Sequence, residues 1–364
     1  MRRAVWVLAL VLAGCSSAGS GSSSTGSVGS ASSSGAGSSS SGGSTGGAAS
    51  SSTGGSGGST GGAVTLFPPD APWNEKVDGD PKADTSDAII ADLAQHGGWG
   101  NHDTFQIDFG LTVLHASAAT PFVSWDTTDD WYDPDCDHLP MPVPAGGALE
   151  GEAGYACTGD GDCHLLVIDD AHQALYEMWR ANQVSPSSWE GGCQAVWDLA
   201  RTPPASLRGE GCTSADAAGL PMAALVFNAD EVASGHIDHA IRFILPNDRI
   251  RHGVYVHPAT HSTGATGGDS DAPPYGVRLR LRADYPVDTL PSAGAKVVAR
   301  ALQRYGMILS DGGQIALTAA SDRFTTAKWS GLLDAHDLSA LAVTDFEVVD
   351  LGAPIALDDC VRTP

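Results

Sequence analysis

The chain has 364 residues, with 43 Asp and Glu against 19 Lys and Arg, a net charge of −24. A surface this acidic repels a phosphate backbone and an anionic membrane face, which argues against nucleic acid as a partner. The length suits one large domain or two small ones.

The first sixty residues carry an address rather than chemistry. Arg2 and Arg3 precede the apolar run Ala4–Leu12, which is too short to span a bilayer. Leu12-Ala13-Gly14-Cys15 resembles a bacterial lipobox. The resemblance implies a signal peptide over 1–14, cleavage before Cys15, and lipid on that cysteine. The protein would then sit in the bacterial cell envelope, at the outer membrane or cell surface. The alternative is an ordinary secretory signal that happens to hold a cysteine. Residues 15–62 are nearly all Ser, Gly, Ala and Thr after that cysteine, with no aromatic and no charge. Such a segment buries too little apolar surface to offset its conformational entropy, and reads as a disordered tether. As a coil it reaches roughly 35–40 Å. Residues 63–364 read as a single globular head, with no repeat and no second low-complexity break.

Within the head, segment 84–95 predicts a short helix capped by Thr85 or Ser86. Short apolar runs bounded by turn residues predict strands at Phe105–Phe109, Pro121–Trp125, Leu165–Asp169 and Leu175–Trp179, the last two joined as a hairpin. Further strands are expected at Met222–Phe227, His236–Leu245, Gly253–His257, Val277–Ala283 and Phe346–Asp350. Ser292–Tyr305 places Val297, Val298, Ala301, Leu302 and Tyr305 on one helical stripe, with Gly306 as its stop. Many short strands and few helices predict a mainly β fold, a β-sandwich of jelly-roll type with appended helices.

Six cysteines lie in the head: Cys136, Cys157, Cys163, Cys193, Cys212 and Cys360. An even number in an exported protein reads as disulfides. Cys157 and Cys163 flank a tight polar turn and form the most direct pair. Cys193 with Cys212 and Cys136 with Cys360 are guesses for the rest. Zinc is the weaker alternative, because no Cys-x-x-Cys occurs.

The chemistry-bearing residues cluster late in the chain. Alternation over 235–243 sets His239 among Ile237, Ile241 and Phe243, with His236, Asp238 and Arg242 on the other face. Arg278, Arg280 and Arg282 share one strand face, either as partners for carboxylates or as a cationic groove that grips an anion. His236/His239 and His257/His261 suggest a zinc or copper site, but a three-residue step puts the first pair on opposite strand faces. Acidic loops at Asp126–Asp135 and Asp78–Asp80 offer oxygens to calcium, without the EF-hand pattern. No other cofactor is implied. Trp99, Trp125, Trp131 and Tyr132 lie near Asp, Asn and His, as sugar-stacking rings would, or else pin long loops. Acid–base candidates are Glu177, Asp216, Glu231 and Asp311. The nucleophile elbow, Rossmann and P-loop glycine patterns are all missing.

Asp230-Glu231-Val232, Ile237 to Phe243, Pro258-Ala259-Thr260-His261, Gly276 to Ala283, Ala301 to Asp311 and Asp345-Phe346-Glu347 together resemble a group of secreted bacterial proteins of unassigned activity. Thr213 to Pro221 and the hairpin from His164 to Glu177 belong to the same pattern. The resemblance covers roughly residues 105–350 and supplies no activity. It raises the standing of His164, Asp216, Glu231, His239, Arg242, His261, Arg278, Tyr305 and Asp311. Gly312-Gly313 departs from an Asn-Gly in that pattern, and the cysteines look like local additions.

The sequence therefore leads to an envelope lipoprotein whose head acts on an extracellular polysaccharide, by hydrolysis or uronate elimination. Glu231 or Asp216 would be acid or base, with His239 or His261 as partner. Arg242, Arg278, Arg280, Tyr305, Asp311, His164 and Trp131 would hold substrate. The alternatives are a non-catalytic module for a cell-surface glycan or another envelope partner, and a structural envelope protein. The polar motif residues are expected to meet in one cleft, since burying such groups is costly unless they are paired.

Overall fold

The computed structural model describes residues 65–159, 161–350 and 352–363. The signal, Cys15 and the tether lie outside the described residues. No helix among the described residues is long and apolar enough to cross a membrane.

The fold is mainly β, with more strand than helix. In chain order the strands of the two principal sheets are Ile107–Leu111 (β1), Val113–Ala116 (β2), Leu165–Asp169 (β3), Ala174–Trp179 (β4), Cys193–Asp198 (β5), Ile241–Leu245 (β6), Arg278–Leu281 (β7), Met307–Gly312 (β8), Leu317–Ala320 (β9) and Phe346–Val348 (β10). A six-stranded mixed sheet runs β1-β9-β6-β8-β7-β10, and a four-stranded sheet runs β5-β4-β3-β2. The pairs β1/β9, β6/β8 and β2/β3 are parallel. The chain crosses between the sheets in a single residue, the buried Thr112, whose hydroxyl donates to the Leu149 carbonyl at 3.4 Å.

Strand β3 is buried along its whole length. Leu166 and Ile168 join the main core with Phe243 and Leu309, whereas Leu165 and Val167 join a second core with Trp125, Met141 and Trp189. Burial on both faces explains why the stretch 165–168 is continuously apolar rather than alternating. Its antiparallel pairing with β4 makes the hairpin read from the sequence.

Three helices matter here: Ser86–Gln95 (α1), Ala229–Ser234 (α2) and Ala293–Arg304 (α3). In α3 the Ser292 side chain accepts from the Ala295 amide at 3.0 Å, and Val297, Val298, Ala301 and Leu302 are buried. Gly306 stops it at φ +69, where a Cβ would stand 2.7 Å from the Leu279 carbonyl. At α1 neither expected side chain caps the helix. Ser86 is turned inward instead, its hydroxyl accepting from the Val348 amide at 2.9 Å.

Other expectations are corrected. Met222–Phe227 is buried but forms turns, joined to the main sheet by the Leu225 carbonyl, which accepts from the Arg242 amide at 2.7 Å, and by a bridge from Phe227 to Ala319. The strand expected from His236 begins at Ile241, because the preceding residues leave α2 through Gly235 at φ +93. The runs at 121–125 and 253–257 shrink to Phe122–Val123 and Val254–Tyr255.

The disulfides are Cys157–Cys163, as expected, with Cys136–Cys193 and Cys212–Cys360. These last two replace the pairs Cys193–Cys212 and Cys136–Cys360. The reason is strand pairing. Asp137 bridges Gln194, which brings Cys136 alongside Cys193. Val361–Arg362 pairs with Gly209–Glu210, which brings Cys360 to Cys212.

Candidate functional site

The loop 211–220 holds Asp216. Ser214 fixes it from within: its hydroxyl accepts from the Asp216 amide at 3.0 Å and donates to the Leu220 carbonyl at 2.8 Å. Gly219 lets this loop touch the next one. It sits at φ +78, and a Cβ there would lie 2.3 Å from the Thr260 hydroxyl. Thr260 donates to the Cys212 carbonyl at 2.9 Å, and the His261 ring donates from Nδ1 to the Ala217 carbonyl at 2.8 Å.

The sheet supplies the charges. Arg242 on β6 is buried, and its guanidinium reaches Asp216 Oδ1 at 2.8 and 3.1 Å. The same group donates to Asp311 on the neighbouring β8 at 3.0 Å, and to Thr318 on the opposite neighbour β9 at 2.9 Å. The register slips by one residue between Phe243 and Ile244, which brings Asp311 into line with β6. His164, just ahead of β3, joins the hairpin to this loop. Its Nδ1 lies 2.6 Å from a Glu150 carboxylate oxygen and its Nε2 lies 3.1 Å from the Ala215 carbonyl. Both neighbours accept, so both ring nitrogens donate and the ring is an imidazolium.

These groups border a cleft of about 370 Å³ lined by His164, Asp216, His261 and Asp311. Tyr132 and Trp179 line it too, their ring centroids 5.9 Å apart, and Trp179 donates from its indole to Asp162. Ser262 and Thr263 lie beside His261, and both hydroxyls are buried without a hydrogen bond among the described residues.

Protonation is set by burial and by neighbours. Burial, with the Asp311 charge adding to it, raises the Asp216 carboxyl to about 7 against the pull of Arg242. Burial also raises Asp311, although 30% of that side chain remains exposed. Among the described residues Arg242 is the one guanidinium serving both carboxyls, which favours a proton on one of them near neutrality. Burial works against charge on His164, yet the hydrogen bond and charge of Glu150 overcome it and carry the ring to about 9. Burial lowers His261, leaving it a neutral imidazole whose Nε2 makes no hydrogen bond among the described residues. The cleft thus brings together a neutral base and a protonatable carboxyl pair.

The other expected site residues lie elsewhere. Glu231 and His239 meet at 3.2 Å in a different cleft, of about 410 Å³, reached from the far end of β3. Glu231 is also half of the capping box of α2, accepting from the Asn228 amide at 2.9 Å. His239 donates from Nδ1 to the Ala240 carbonyl at 2.8 Å; burial opposes its charge and Glu231 raises it. Arg278 donates to the carbonyls of Tyr305, Pro72 and Glu75 at 2.7–2.9 Å. Arg280 donates to Glu347 and to the carbonyls of Val77 and Asp80. These two arginines clamp residues 72–80 onto the sheet, and Arg282 lies exposed beside Asp284. Tyr305 ends α3 and reaches Asp238 at 3.4 Å. Glu177 is wholly buried, accepting from Trp197 at 3.0 Å and the Ala223 amide at 2.8 Å. Trp131 packs on Trp125 and His138, and Trp99 is buried against Phe105 and Phe346.

Metal expectations find little geometry. Of the candidate ligand groups among the described residues, two contain disulfide-bonded cysteines: Asp135 with Cys212 and Cys360, and Glu152 with Cys157 and Cys163. The third, Asp92 with His96 and Asp269, includes no histidine from His236 to His261. His257 is engaged with Glu210 at 2.9 Å, and His236 with Asp238 at 3.4 Å.

Sequence reasoning missed Glu150, Thr318, Ser262, Thr263 and Trp179. Trp179 was legible only as a strand end, and Glu150 lies in an aperiodic loop with no pattern to mark it. Comparisons with protein families, with curated proteins and with solved structures each return no match.

Proposed function

We propose that the head hydrolyses glycosidic bonds of an extracellular polysaccharide at the Asp216–Asp311–His261 cleft. The carrying observation is the pairing, in one cleft, of a neutral His261 with a free Nε2 and a carboxyl pair that retains a proton near neutrality. In this reading His261 Nε2 takes a proton from water as the water oxygen bonds to the anomeric carbon. The carboxyl pair gives its proton to the departing glycosidic oxygen. Tyr132 and Trp179 offer flat faces at the rim for a sugar ring.

Hydrolysis is favoured over uronate elimination by charge. Elimination needs a cation to neutralise the uronate carboxylate, and both cations at this cleft are engaged, Arg242 by Asp216 and Asp311 and His164 by Glu150. A neutral or amino sugar fits a cleft walled by Asp162, Asp216 and Asp311. Release of new reducing ends from neutral or amino-sugar polysaccharides tests the proposal. His261→Asn should lower that release by roughly 10²–10⁴-fold with folding unchanged. The optimum should fall on the acid side of neutrality, because His261 must be neutral and a carboxyl protonated. Unsaturated uronate products would indicate elimination instead. Binding without any bond cleavage would indicate the glycan-binding module.

The group of secreted bacterial proteins remains part of this reading, since the resembling motifs supply His164, Asp216, Arg242, His261 and Asp311. The fold that accompanies it is a sandwich-like layering of the two sheets around the main core. Attachment through a lipid on Cys15 is likewise proposed, and rests on the lipobox residues. Stable anchoring takes more than one acyl chain. Cys15→Ser should move the head from the membrane fraction to the soluble one; a variant that stays with the membrane would reject the lipobox.

A further inference from the structure

A third hollow, of about 630 Å³, is bordered by Arg201, Arg208 and Arg362. In a chain with 43 acids and 19 bases, three arginines at one hollow is a local reversal of charge. Among the described residues, the carboxylates that line it are Asp137 and Asp198. Asp198 meets Arg201 at 3.2 Å, with both side chains more than half exposed. Asp137 receives both of the others, Arg208 at 2.9 Å on one oxygen and Arg362 at 2.6 Å on the other. The Val196 amide also donates to Asp137, at 2.9 Å.

One carboxylate balances one guanidinium, so a positive charge is left over at this wall. Two further carboxylates touch the lining of the hollow: Asp70 accepts from the Thr202 hydroxyl, and Asp169 meets His172 at 2.7 Å. Asp135 gives Arg362 only its backbone carbonyl, while its carboxylate accepts from the Thr213 amide at 2.9 Å. Glu177 accepts from Trp197 and favours the charge on Arg208, but burial raises it to about 7, so it carries only part of a charge near neutrality. Arg208 stands over the Trp197 ring, 5.7 Å from its centroid. Its Nε is buried with no hydrogen-bond partner among the described residues. Burial and the Arg362 charge lower it to about 10, although Asp137 and the Thr213 carbonyl accept from it at 2.9 and 3.1 Å.

We propose that this hollow is an oxyanion-binding subsite, taking a carboxylate, sulfate or phosphate group of a ligand between Arg201 and Arg362. Guanidinia suit such groups because their donors match paired oxygens. Arg201 can exchange Asp198 for the ligand at little cost, since exposed pairs contribute little. The subsite is separate from the hydrolytic cleft, and its test does not depend on turnover.

The experiment is calorimetric titration of the full chain at low salt with inorganic sulfate, inorganic phosphate and methyl glucuronoside. Saturable binding of at least one probe is expected, and the tightest probe tells a tetrahedral anion from a planar carboxylate. Arg201→Glu and Arg362→Gln should each weaken binding by about tenfold or more, a shift of about 1.4 kcal/mol. Arg300→Glu, at an exposed pair elsewhere, should not. Arg362 also helps hold the C-terminal strand, so the exposed Arg201 is the variant that decides. No saturable binding of any probe, or binding unchanged in Arg201→Glu, would overturn the proposal.

Discussion

Replacing Arg242 by methionine is expected to cost about 3–5 kcal/mol of folding stability, lowering the melting temperature by roughly 10 °C. The reason is what remains rather than what is lost. Asp216 is wholly buried, and Arg242 supplies the charge-bearing hydrogen bonds to one of its oxygens. Asp311 shares the same guanidinium. Without Arg242 the two carboxyls face each other across a gap in the sheet, and Thr318 loses its donor. Each is already raised by burial, so both would be driven toward protonation. The double variant Arg242→Met, Asp216→Asn removes one of the stranded charges and should recover about half of the loss. Denaturant melts of the two variants measure both effects. A single variant that loses less than about 1 kcal/mol would show that the triad contributes little net stability. The triad is both a network that locks β6 to β8 and β9 and one wall of a cleft, so activity and stability should fall together at Arg242. At His261, which forms no ion pair among the described residues, only activity should fall.

The legible part of the fold is the part held by local pattern. The 165–179 hairpin shows itself by two apolar runs on either side of a polar turn, and α3 by a stripe closed at Gly306. Met222–Phe227 has the composition of a strand, yet it forms turns that meet the sheet at isolated points, Leu225 with Arg242 and Phe227 with Ala319. Composition reports burial there, and pairing is decided by Arg242 and Ala319, which no local pattern in the segment marks. The arginine face of β7 is a concentration of charge, as its alternation predicts. Its partners are invisible in the sequence, because carbonyls at Pro72, Glu75, Val77 and Asp80 carry no mark there. The candidate site follows the same rule. Asp216, Arg242 and Asp311 stand out as costly residue types, but their convergence depends on β6 lying parallel to β8 with a one-residue slip. The same topology sends Glu231 and His239 to a different cleft from His261, although all three lie within about thirty residues, so one expected cleft became two.

Stability should fall as the pH rises from about 5 to about 9, because the folded state holds protons that the unfolded chain releases sooner. His164 titrates at about 9 when folded, against an ordinary 6.5. Its contribution is therefore complete below pH 6.5 and is lost as the pH passes 9. Asp216 and Glu177 titrate at about 7 when folded, against 3.8 and 4.5. Their neutral forms are the ones the fold accommodates, so their contribution is complete below the ordinary carboxylate range and fades through pH 7. A proton that the folded state keeps to a pH tenfold less acidic contributes about 1.4 kcal/mol, so the three groups together contribute several kcal/mol. His261 acts in the opposite direction. Burial lowers it, so its contribution is present above 6.5 and is lost on acidification, which offsets part of the gain at low pH. Melting curves at about pH 5, 7 and 9 should descend in that order. His164→Gln isolates one component. The variant should be less stable at pH 5 and 7 yet lose little further between 7 and 9, because Gln has no proton to release there. A wild-type melting temperature that rises toward pH 9 would mean that His164 is not the buried imidazolium that Glu150 and the Ala215 carbonyl require.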